Sequence, residues 1–408
     1  MSKNVIVGQS GGPTSVINAS LAGVYDEARR ANLGTIYGMR NGIKGFLEGR
    51  NINMADYIKN RVDLEILKRT PSSFLGSCRY KLPKADENPE VYKKIFGILA
   101  EMEIGYFFYI GGNDSMDTIM KLSKYGESIG SDIRFMGVPK TIDNDLAVTD
   151  HSPGFGSAAK YIASSIKEII LDAQVYNNGA VTIVEVMGRN TGWLSAAAAL
   201  SRGDDSPGPD LIFLPEITFD VDSFLDKVEK LGKGGATPTV IVSEGLMLAD
   251  GRYVNEVAAE NNKVDAFGHK QLSGTASYLA QEVGRKLGVK TRAIEFGIIQ
   301  RCAAHLQSLT DVTEAFAVGA DAVKAAREGT TNEVVIIRRL ASEPYAFTTN
   351  SIPIEKMANI EKHVPMEWIN ETRDGVLEPY LHYAKPLIAG EVSPYYVDGM
   401  PRHLRIMN

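Results

Sequence analysis

Cysteine and histidine are scarce in this 408-residue chain, and their spacing excludes several kinds of site. The two cysteines, Cys78 and Cys302, cannot form a disulfide framework and do not have metal-ligand spacing. The six histidines are scattered, and no G-x-S-x-G motif supports a serine–histidine–aspartate triad. We therefore expect neither a disulfide-rich secreted fold nor a histidine metal centre, and a reducing, cytoplasmic setting fits best.

The chain also lacks long apolar runs, low-complexity tracts and short-period repeats. No apolar stretch approaches the ~18 residues of a membrane span, and the N-terminal "MSKNVIVGQSGG" runs directly into a strand pattern without a leader-like segment. The formal net charge of −6 argues against a general nucleic-acid or anionic-membrane binder. Hydrophobic residues make up 44% and charged residues 23% of the chain, which is ordinary for a globular enzyme.

Short apolar runs alternate with longer amphipathic stretches, and this alternation predicts βαβ units with parallel sheets. The strand-like runs lie at 4–9, 35–39, 106–112, 133–139, 180–188, 210–216, 238–245, 292–297 and 333–340. The helix-like stretches lie at 16–31, 90–103, 114–127, 155–173, 218–232, 272–287 and near 353–360. We predict an α/β fold of two domains with a boundary near residue 150.

Polar and glycine-rich motifs come directly after many of these strands. They read "SGG", "GGND", "PKTIDND", "MGRNTG" and "SEG". In open parallel sheets, ligands bind at the carboxyl ends of the strands. The agreement among these strand ends predicts a shared cleft more strongly than any single motif does.

Two glycine pairs are suited to phosphate binding. "GQSGGPTSVINAS" begins at Gly8 and "YIGGNDSMDT" at Tyr109, and each pair opens a helix whose first amides can face an anion. The first loop lacks the ending of a Walker A loop, and neither has the G-x-G-x-x-G of a dinucleotide site, which disfavours a nicotinamide oxidoreductase. A tight turn and simple helix caps at Asp114 and Ser115 are the alternative interpretations.

The stretch "VPKTIDND" places Lys140, Thr141, Asp143 and Asp145 at one strand end. A carboxylate beside a lysine and a metal site can accept the proton of an attacking hydroxyl in phosphoryl transfer. The alternative is a capped turn.

Other strand ends carry single charged residues. Arg189 in "EVMGRNTGW" is suited to bidentate phosphate contact, and Glu244 in "SEGL" can hold sugar hydroxyls or cap the next element. Arg292 and Arg301 bracket the strand in "TRAIEFGIIQR" and are candidates for a phosphosugar clamp, or an ordinary solvated pair.

As a set, these motifs resemble the phosphofructokinase family. "SGGPTSVINA", "FLGSCR", "GGNDS", "PKTIDND", "VEVMGRNTGW", "SEG" and "TRAIEFGIIQR" occur in that family's order and approximate spacing, from the N-terminus to about residue 325. The resemblance implies two Rossmann-like α/β domains with parallel-dominated sheets. Residues 1–150 would bind the donor phosphates and Mg²⁺, residues 151–300 would bind the sugar phosphate, and residues 301–408 would return to the first domain and end in an extension.

The resemblance also implies a role for each matching position. Asp143 would take the proton of the sugar 1-hydroxyl, and Gly12 and Arg79 would face the donor phosphates. Thr141 and Ile142 would lie on the sugar side. The remaining residues implied in binding fructose 6-phosphate are Met187, Gly188, Arg189, Glu244, Arg292, Ile298 and Arg301. Arg292 would reach across from a neighbouring subunit, so a homodimer or homotetramer with sites at subunit contacts is implied.

Asp114 and Lys140 bear on the choice of donor. In the ATP-using branch of the family, these two loops typically read "GGDGS" and "PGTIDND". Their small residues leave room for the nucleotide. Here Asp114 adds bulk and like charge where the α-phosphate of ATP would lie, and Lys140 adds a cation for a donor that ends in a bare phosphate. This pattern resembles the pyrophosphate-dependent branch.

The resemblance thus implies a pyrophosphate-dependent phosphorylation of fructose 6-phosphate at O1. We expect this reaction to be reversible, because pyrophosphate is a less energetic donor than ATP. The alternatives are an ATP-dependent enzyme of the same family and a non-catalytic sugar-phosphate sensor with the same fold. Asn113 stands where the family more commonly has a metal-ligating aspartate, so Mg²⁺ would be held mainly by the pyrophosphate. Ile298 replaces a histidine or tyrosine that usually touches the sugar, which leaves open a broader acceptor range such as sedoheptulose 7-phosphate.

Overall fold

The computed structural model describes residues 3–175, 178–258 and 274–406, and the chain divides into two compact units. Unit 1 comprises Met1–Ser157, Arg301–Glu361 and Ala389–Asn408, and unit 2 comprises Ala158–Gln300 and Lys362–Ile388. The structure has one break after Ser157, seven residues beyond the expected boundary at 150, and another after Gln300, the position of the second expected boundary. It also assigns Lys362–Ile388 to unit 2, because this segment packs on that unit's helices rather than forming a separate extension.

Strands and helices alternate along most of the chain. The strands are β1 (Asn4–Gln9), β2 (Ile36–Met39), β3 (Asn51–Asn53), β4 (Ile104–Gly111), β5 (Arg134–Pro139), β6 (Val181–Val186), β7 (Leu211–Phe213), β8 (Thr239–Ser243), β9 (Thr291–Glu295), β10 (Glu333–Ser342), β11 (Tyr345–Pro353), β12 (Tyr396–Val397) and β13 (Met400–Pro401). The α-helices are α1 (Ile17–Arg30), α2 (Gly42–Leu47), α3 (Arg61–Arg69), α4 (Pro89–Glu101), α5 (Asn113–Ser128), α6 (Phe155–Ala173), α7 (Trp193–Ala197), α8 (Val221–Leu231), α9 (Val254–Ala258), α10 (Thr275–Leu287), α11 (Ile299–Cys302), α12 (Leu309–Arg327) and α13 (Glu378–Ala384). The predicted α/β class with parallel-dominated sheets is confirmed.

Two predicted helices differ in the structure. The helix expected near 353–360 is a single 3₁₀ turn, Ile354–Lys356, and Asn359 follows it in the left-handed region with a φ of 62°. The helix expected at 272–287 spans Thr275–Leu287. Residues 272–273 lie outside the described residues.

Unit 1 contains a seven-stranded sheet in the order β11-β10-β5-β4-β1-β2-β3. The central strands β5, β4 and β1 are parallel neighbours, so their carboxyl ends lie side by side at one edge. Successive side chains point to opposite faces of a strand. Val5 therefore packs in the core on one face with Ile17 of α1, while Ile6 packs on the other with Phe107.

Helices α1 and α12 cover one face of this sheet and approach each other closely. A Cβ added at Gly23 of α1 would lie 2.1 Å from the carbonyl oxygen of Phe316, and one at Gly319 of α12 would lie 2.1 Å from that of Ser20. Only glycine permits this approach, so α12 is held firmly against α1 at both positions. The side chain of Ser308 caps α12 by accepting a hydrogen bond from the Asp311 amide at 3.4 Å.

Unit 2 contains a four-stranded parallel sheet in the order β7-β8-β6-β9. Ile183 and Val242 of this sheet pack with Phe224 of α8 and Leu279 of α10. The segment Lys362–Ile388 attaches to α7, since Nε1 of Trp193 donates to the Lys362 carbonyl at 2.9 Å. In the described ranges, no helix combines the length and apolarity that crossing a membrane requires.

Candidate active site

Three neighbouring strand ends of unit 1 bring the first candidate residues together. The Gly11–Gly12 loop follows β1, the Gly112–Asp114 segment follows β4, and Lys140 follows β5. The backbone joins these loops, because the Lys140 amide donates to the Gly111 carbonyl at 3.0 Å. The predicted gathering of motifs at one sheet edge is present within this unit.

The first glycine loop is fixed by hydrogen bonds to the segment that contains Ser77 and Cys78. Gly11 adopts a φ of 75°, which favours glycine, and its carbonyl accepts a hydrogen bond from Oγ of Ser77 at 2.6 Å. The Gly11 amide donates to the Cys78 carbonyl at 3.4 Å. Arg79, the next residue, is therefore carried beside this loop and is exposed.

Lys140 is the most buried charged residue among the predicted site residues. It is 2% exposed, and its Nζ donates to the Gly12 carbonyl at 2.6 Å. Burial lowers the pKa of its ammonium group to about 8; the carboxylates of Asp143 and Asp145 oppose this shift, and the Arg301 guanidinium adds to it. A lysine held at a glycine loop in this way presents a fixed positive charge to an anionic group.

The loop after Lys140 carries Asp143 in a tight, ordered form. The Asp143 amide donates to Oγ1 of Thr141 at 3.1 Å, and Thr141 itself pairs with Gly154 in a parallel bridge. Ile142 is 7% exposed and anchors the loop in the interior. These contacts fix the backbone of the half-buried Asp143, which follows Lys140 by three residues at the end of β5.

The second glycine loop begins helix α5. Asn113 and Asp114 occupy its first turn, and Asp114 is exposed. The Oδ1 atom of Asn113 is buried and has no hydrogen-bond partner among the described residues. An orphaned amide oxygen can ligate a hard cation such as Mg²⁺.

The protein supplies no carboxylate cage for a metal in the described ranges, where no group of three or more histidine, cysteine, aspartate or glutamate side chains is suitably placed. Mg²⁺ commonly keeps one or two protein ligands and takes the rest from substrate phosphates and water. Asn113 beside the two glycine loops fits this kind of site.

Arg301 belongs to unit 1, although the sequence placed it with the sugar phosphate. Its Nη1 lies 3.4 Å from the position that a Cβ on Gly12 would take. Its guanidinium also acts on the pKa of Lys140. The structure therefore brings Arg301 to the glycine loop predicted to face the donor.

Unit 2 gathers a second set of candidates, after β6 and β8. The Met187 amide donates to Oε1 of Gln300 at 3.0 Å, and the Gly188 amide donates to Oε1 of Glu244 at 3.4 Å. Gly245 allows the loops to touch, because a Cβ there would lie 1.8 Å from the Arg189 carbonyl oxygen. The structure thus joins the predicted "MGR" and "SEG" motifs directly.

Arg189 contributes a buried polar atom to this loop pair. Its Nε atom is buried and has no hydrogen-bond partner in the described part of the chain. A guanidinium with an unsatisfied N–H is suited to an anionic ligand.

Arg292 and Ile298, two other candidates of unit 2, are exposed. The Arg292 side chain is 47% exposed and forms an ion pair with Asp172 at 2.8 Å, and Ile298 is 61% exposed. The described hydrogen bond and ion pair of Arg292 go to Asp172 rather than to the Met187–Arg189 loop.

Two supporting residues were missed by the sequence analysis. Gln300 holds the Met187 amide, and the fully buried Asn144 accepts a hydrogen bond from the Ser152 amide at 3.0 Å. Both are polar residues next to a motif, but nothing in the sequence distinguishes such inward-facing amides from surface ones.

Comparison with known proteins gives the family. A family model described as phosphofructokinase matches residues 4–326. The chain belongs to the phosphofructokinase family. The pyrophosphate–fructose 6-phosphate 1-phosphotransferase of Halomonas elongata is 40% identical over 403 residues, covering 98% of this chain and 95% of that protein. The enzyme of the same name from Methylococcus capsulatus is 38% identical, covering 100% of this chain and 96% of that protein.

A solved structure resembles the fold over almost its whole length. The crystal structure of pyrophosphate-dependent phosphofructokinase from Nitrosospira multiformis aligns with a TM-score of 0.89 at 38% identity, covering 99% of this chain and 96% of that one. The family resemblance seen in the motifs is therefore confirmed, as is the phosphofructokinase-type α/β fold.

Proposed function

We propose that this protein transfers a phosphoryl group from pyrophosphate to O1 of fructose 6-phosphate, giving fructose 1,6-bisphosphate and phosphate. The observation that carries this proposal is Lys140, buried and hydrogen-bonded to the Gly12 carbonyl, three residues before Asp143. The names of the relatives and of the solved structure agree with this reaction. Pyrophosphate is a modest phosphoryl donor, so we expect the reaction to run in both directions.

Asp143 is the proposed general base. It takes the proton from the 1-hydroxyl while that oxygen bonds to the transferred phosphorus, and the bond from that phosphorus to the bridging oxygen of pyrophosphate breaks. Its amide is fixed to Oγ1 of Thr141, which holds the carboxylate-bearing residue in place. Thr141 and Ile142 lie on the sugar side in this proposal.

The donor is held by the edge of unit 1. Gly12 offers its backbone amide to the phosphates, and Lys140 and Arg79 neutralise their charge. The Arg301 guanidinium, close to Gly12, adds to this field while also serving the sugar phosphate. Asp114, exposed in the first turn of α5, disfavours the extra phosphate of ATP by bulk and like charge.

The acceptor is held by unit 2 in this proposal. Met187, Gly188 and Arg189 line the sugar phosphate, and Glu244 accepts from its hydroxyls. The unsatisfied Nε of Arg189 supports this assignment. Arg292 acts on the acceptor from a neighbouring subunit, which agrees with its exposure in a single chain and implies a homodimer or homotetramer. Ile298 lies on the sugar side in this proposal.

Mg²⁺ is the proposed cofactor. Asn113 would hold it through Oδ1, together with oxygens of the pyrophosphate, and when bound it would neutralise phosphate charge. We also place the reaction in the cytoplasm, which agrees with two cysteines, Cys78 and Cys302, that form no disulfide with each other.

The test is turnover of fructose 6-phosphate with Mg²⁺ and either pyrophosphate or ATP, followed by ³¹P NMR. We expect fructose 1,6-bisphosphate and phosphate from pyrophosphate, and little product from ATP. A preference for ATP would contradict the donor assignment. Binding of the sugar phosphate without turnover on either donor would favour a non-catalytic sensor instead.

A further inference from the structure

A buried cluster of charged side chains lies behind the loop that carries Asp143, within unit 1. His151 is at its centre and is 1% exposed. Its Nδ1 lies 2.8 Å from Oδ1 of Asp150, and its Nε2 lies 2.6 Å from Oε2 of Glu314 on α12. Arg339 of β10 donates from Nη2 to Asp150 at 2.9 Å, and the Tyr345 hydroxyl of β11 donates to the other oxygen of Glu314.

The geometry suits a doubly protonated His151 ring. Each ring nitrogen faces a carboxylate oxygen, and an ionised carboxylate only accepts hydrogen bonds. With both carboxylates ionised, both nitrogens carry protons and the ring is an imidazolium cation, whereas a protonated Glu314 would donate to a neutral ring. Arg339 and His151 then balance the charges of Asp150 and Glu314, and no net charge is buried.

The surroundings of the ring agree with this state. Burial lowers the pKa of His151, but the carboxylates of Glu314 and Asp150 outweigh it and raise the pKa to about 9. The hydrogen bond and charge of His151, with those of Arg339, lower the pKa of Asp150 despite its burial. Burial raises the pKa of Asp311, one turn before Glu314 on the same helix.

The segment that contains His151 also supports the loop of Asp143. The amide of Ser152, next to His151, donates to Oδ1 of Asn144, next to Asp143, at 3.0 Å. Asn144 is fully buried and adopts a φ of 54°, a left-handed conformation that needs support from its surroundings. The Thr141 amide donates to the Pro153 carbonyl at 3.1 Å on the other side of the loop.

Helix α12 and strand β10 hold the same segment from behind. Asp311 of α12 accepts hydrogen bonds from the amides of Gly154 and Ser157, both at 2.8 Å. The Asp150 amide donates to the Ile337 carbonyl of β10 at 3.0 Å. Because α12 is packed tightly against α1, the ion pair of His151 with Glu314 ties the segment to a rigid part of the fold.

We propose that His151 is a positioning residue. Its imidazolium ring joins Asp150 to Glu314 and thereby holds residues 149–154 in place. This segment in turn supports the loop that keeps Asp143 in its reactive position. This inference rests on the proposed role of Asp143 as the general base. The ring does not touch the substrate. It acts through Ser152 and Asn144.

The first test compares His151→Gln with the double variant His151→Gln/Glu314→Gln. The single variant leaves Glu314 buried without its cation, so we expect kcat to fall on the order of tenfold to hundredfold, with KM for fructose 6-phosphate changed less than about threefold. The double variant removes that unbalanced charge, so we expect it to recover kcat by roughly tenfold. Additive losses in the double variant, or a normal kcat in His151→Gln, would overturn the proposal.

A matched control keeps the effect specific to this histidine. His382→Asn changes an exposed histidine on α13 of unit 2, and we expect wild-type kcat and KM. An equal loss in this control would contradict a specific role for His151.

The second test needs no activity. In ¹⁵N NMR of the histidine side chains of the full protein at about pH 8, where an ordinary histidine is neutral, we expect one cationic ring. That signal should be missing in His151→Gln and should become a neutral ring in Glu314→Gln, which keeps the hydrogen bonds but removes the carboxylate charge. Six neutral rings in the wild-type protein would overturn the proposal.

Different results would contradict the proposed function and the positioning role of His151. A wild-type protein without pyrophosphate-dependent turnover contradicts the proposed function, whatever the state of His151. An active wild-type protein whose His151 ring is neutral, or whose His151→Gln variant keeps its kcat, contradicts the positioning role alone.

Discussion

Lys140, at the carboxyl edge of the seven-stranded sheet in unit 1, is buried, whereas Arg292, in strand β9 of unit 2, is exposed. Lys140 is 2% exposed and donates to the Gly12 carbonyl in the loop after β1. Arg292 is 47% exposed and is paired with Asp172, which is itself 66% exposed. Both residues were predicted from the sequence as phosphate contacts.

The difference separates two ways of using a positive charge. A buried lysine costs stability, but it needs no rearrangement when charge develops on a leaving phosphate. An exposed arginine costs little, and its surface ion pair contributes little to stability, so it is available to a ligand or to a neighbouring chain. We therefore assign chemistry and donor choice to the unit 1 edge, and acceptor affinity to Arg292.

The largest expected effect is that of Asp143→Ser. Removing the general base should lower kcat by about 10³-fold and leave the KM for fructose 6-phosphate nearly unchanged, because unit 2 supplies most of the acceptor contacts. Steady-state kinetics with pyrophosphate measures both constants. The matched control is Asp132→Ser, an aspartate that is 74% exposed before β5, and it should be silent. A near-normal kcat in Asp143→Ser would remove this residue from the base role.

Lys140→Met should have the next largest effect. Loss of a fixed cation at the leaving group should lower kcat/KM for pyrophosphate by roughly 10²-fold to 10³-fold. Lys93→Met, at a lysine that is 63% exposed, is the control and should not change turnover.

The same variant should be more stable than the wild type at neutral pH. Burial lowers the pKa of Lys140 from 10.5 to about 8, so the folded protein holds this proton less tightly than the unfolded chain does. Below about pH 8 the buried charge therefore costs stability, and replacing it with methionine should raise Tm. A lower Tm together with lost activity would indicate that Lys140 stabilises the fold instead.

Arg292→Ala should have a smaller effect of a different kind. We expect the KM for fructose 6-phosphate to rise roughly tenfold, with kcat within about twofold, since a charged hydrogen bond to the acceptor is lost. Arg285→Ala, an exposed arginine on α10, is the control.

Mixing variants tests whether Arg292 acts across subunits. Subunits carrying Asp143→Ser and subunits carrying Arg292→Ala, exchanged in one preparation, should regain activity at low fructose 6-phosphate. No gain in a preparation shown to contain mixed oligomers would contradict the role across subunits.

The remaining expected effect is a pH dependence. Because Lys140 must be charged to serve pyrophosphate, kcat/KM for pyrophosphate should fall as pH rises above about 8, by roughly tenfold per unit. An arginine at this position stays charged, so Lys140→Arg should lack this decline even if its activity is lower. A wild-type profile that stays level to about pH 10 would show that Lys140 does not titrate in this range.

Much of the fold was predictable because buried parallel strands are short, apolar and regularly spaced. The path of the C-terminal part was not. Residues 362–388 join unit 2 through contacts such as that between Trp193 and Lys362, and a local pattern does not show which distant helix a segment will meet.

The candidate site was predictable to the same extent. Lys140 and the Gly11–Gly12 loop could be placed together because parallel strands end at one edge of a sheet. The link between His151 and Glu314 could not, since 163 residues separate them in the chain and a single histidine carries no spacing signal. The position of Arg301 beside Gly12 likewise depends on the return of the chain to unit 1.

The central claim is that the unit 1 edge, through Lys140 and Asp114, selects the donor. The most direct test is the ratio of kcat/KM for pyrophosphate to that for ATP, measured in the wild type and in Asp114→Gly/Lys140→Gly. We predict a ratio strongly in favour of pyrophosphate in the wild type, and a fall of at least about 10²-fold in the double variant. A ratio that is the same in both proteins would contradict the claim.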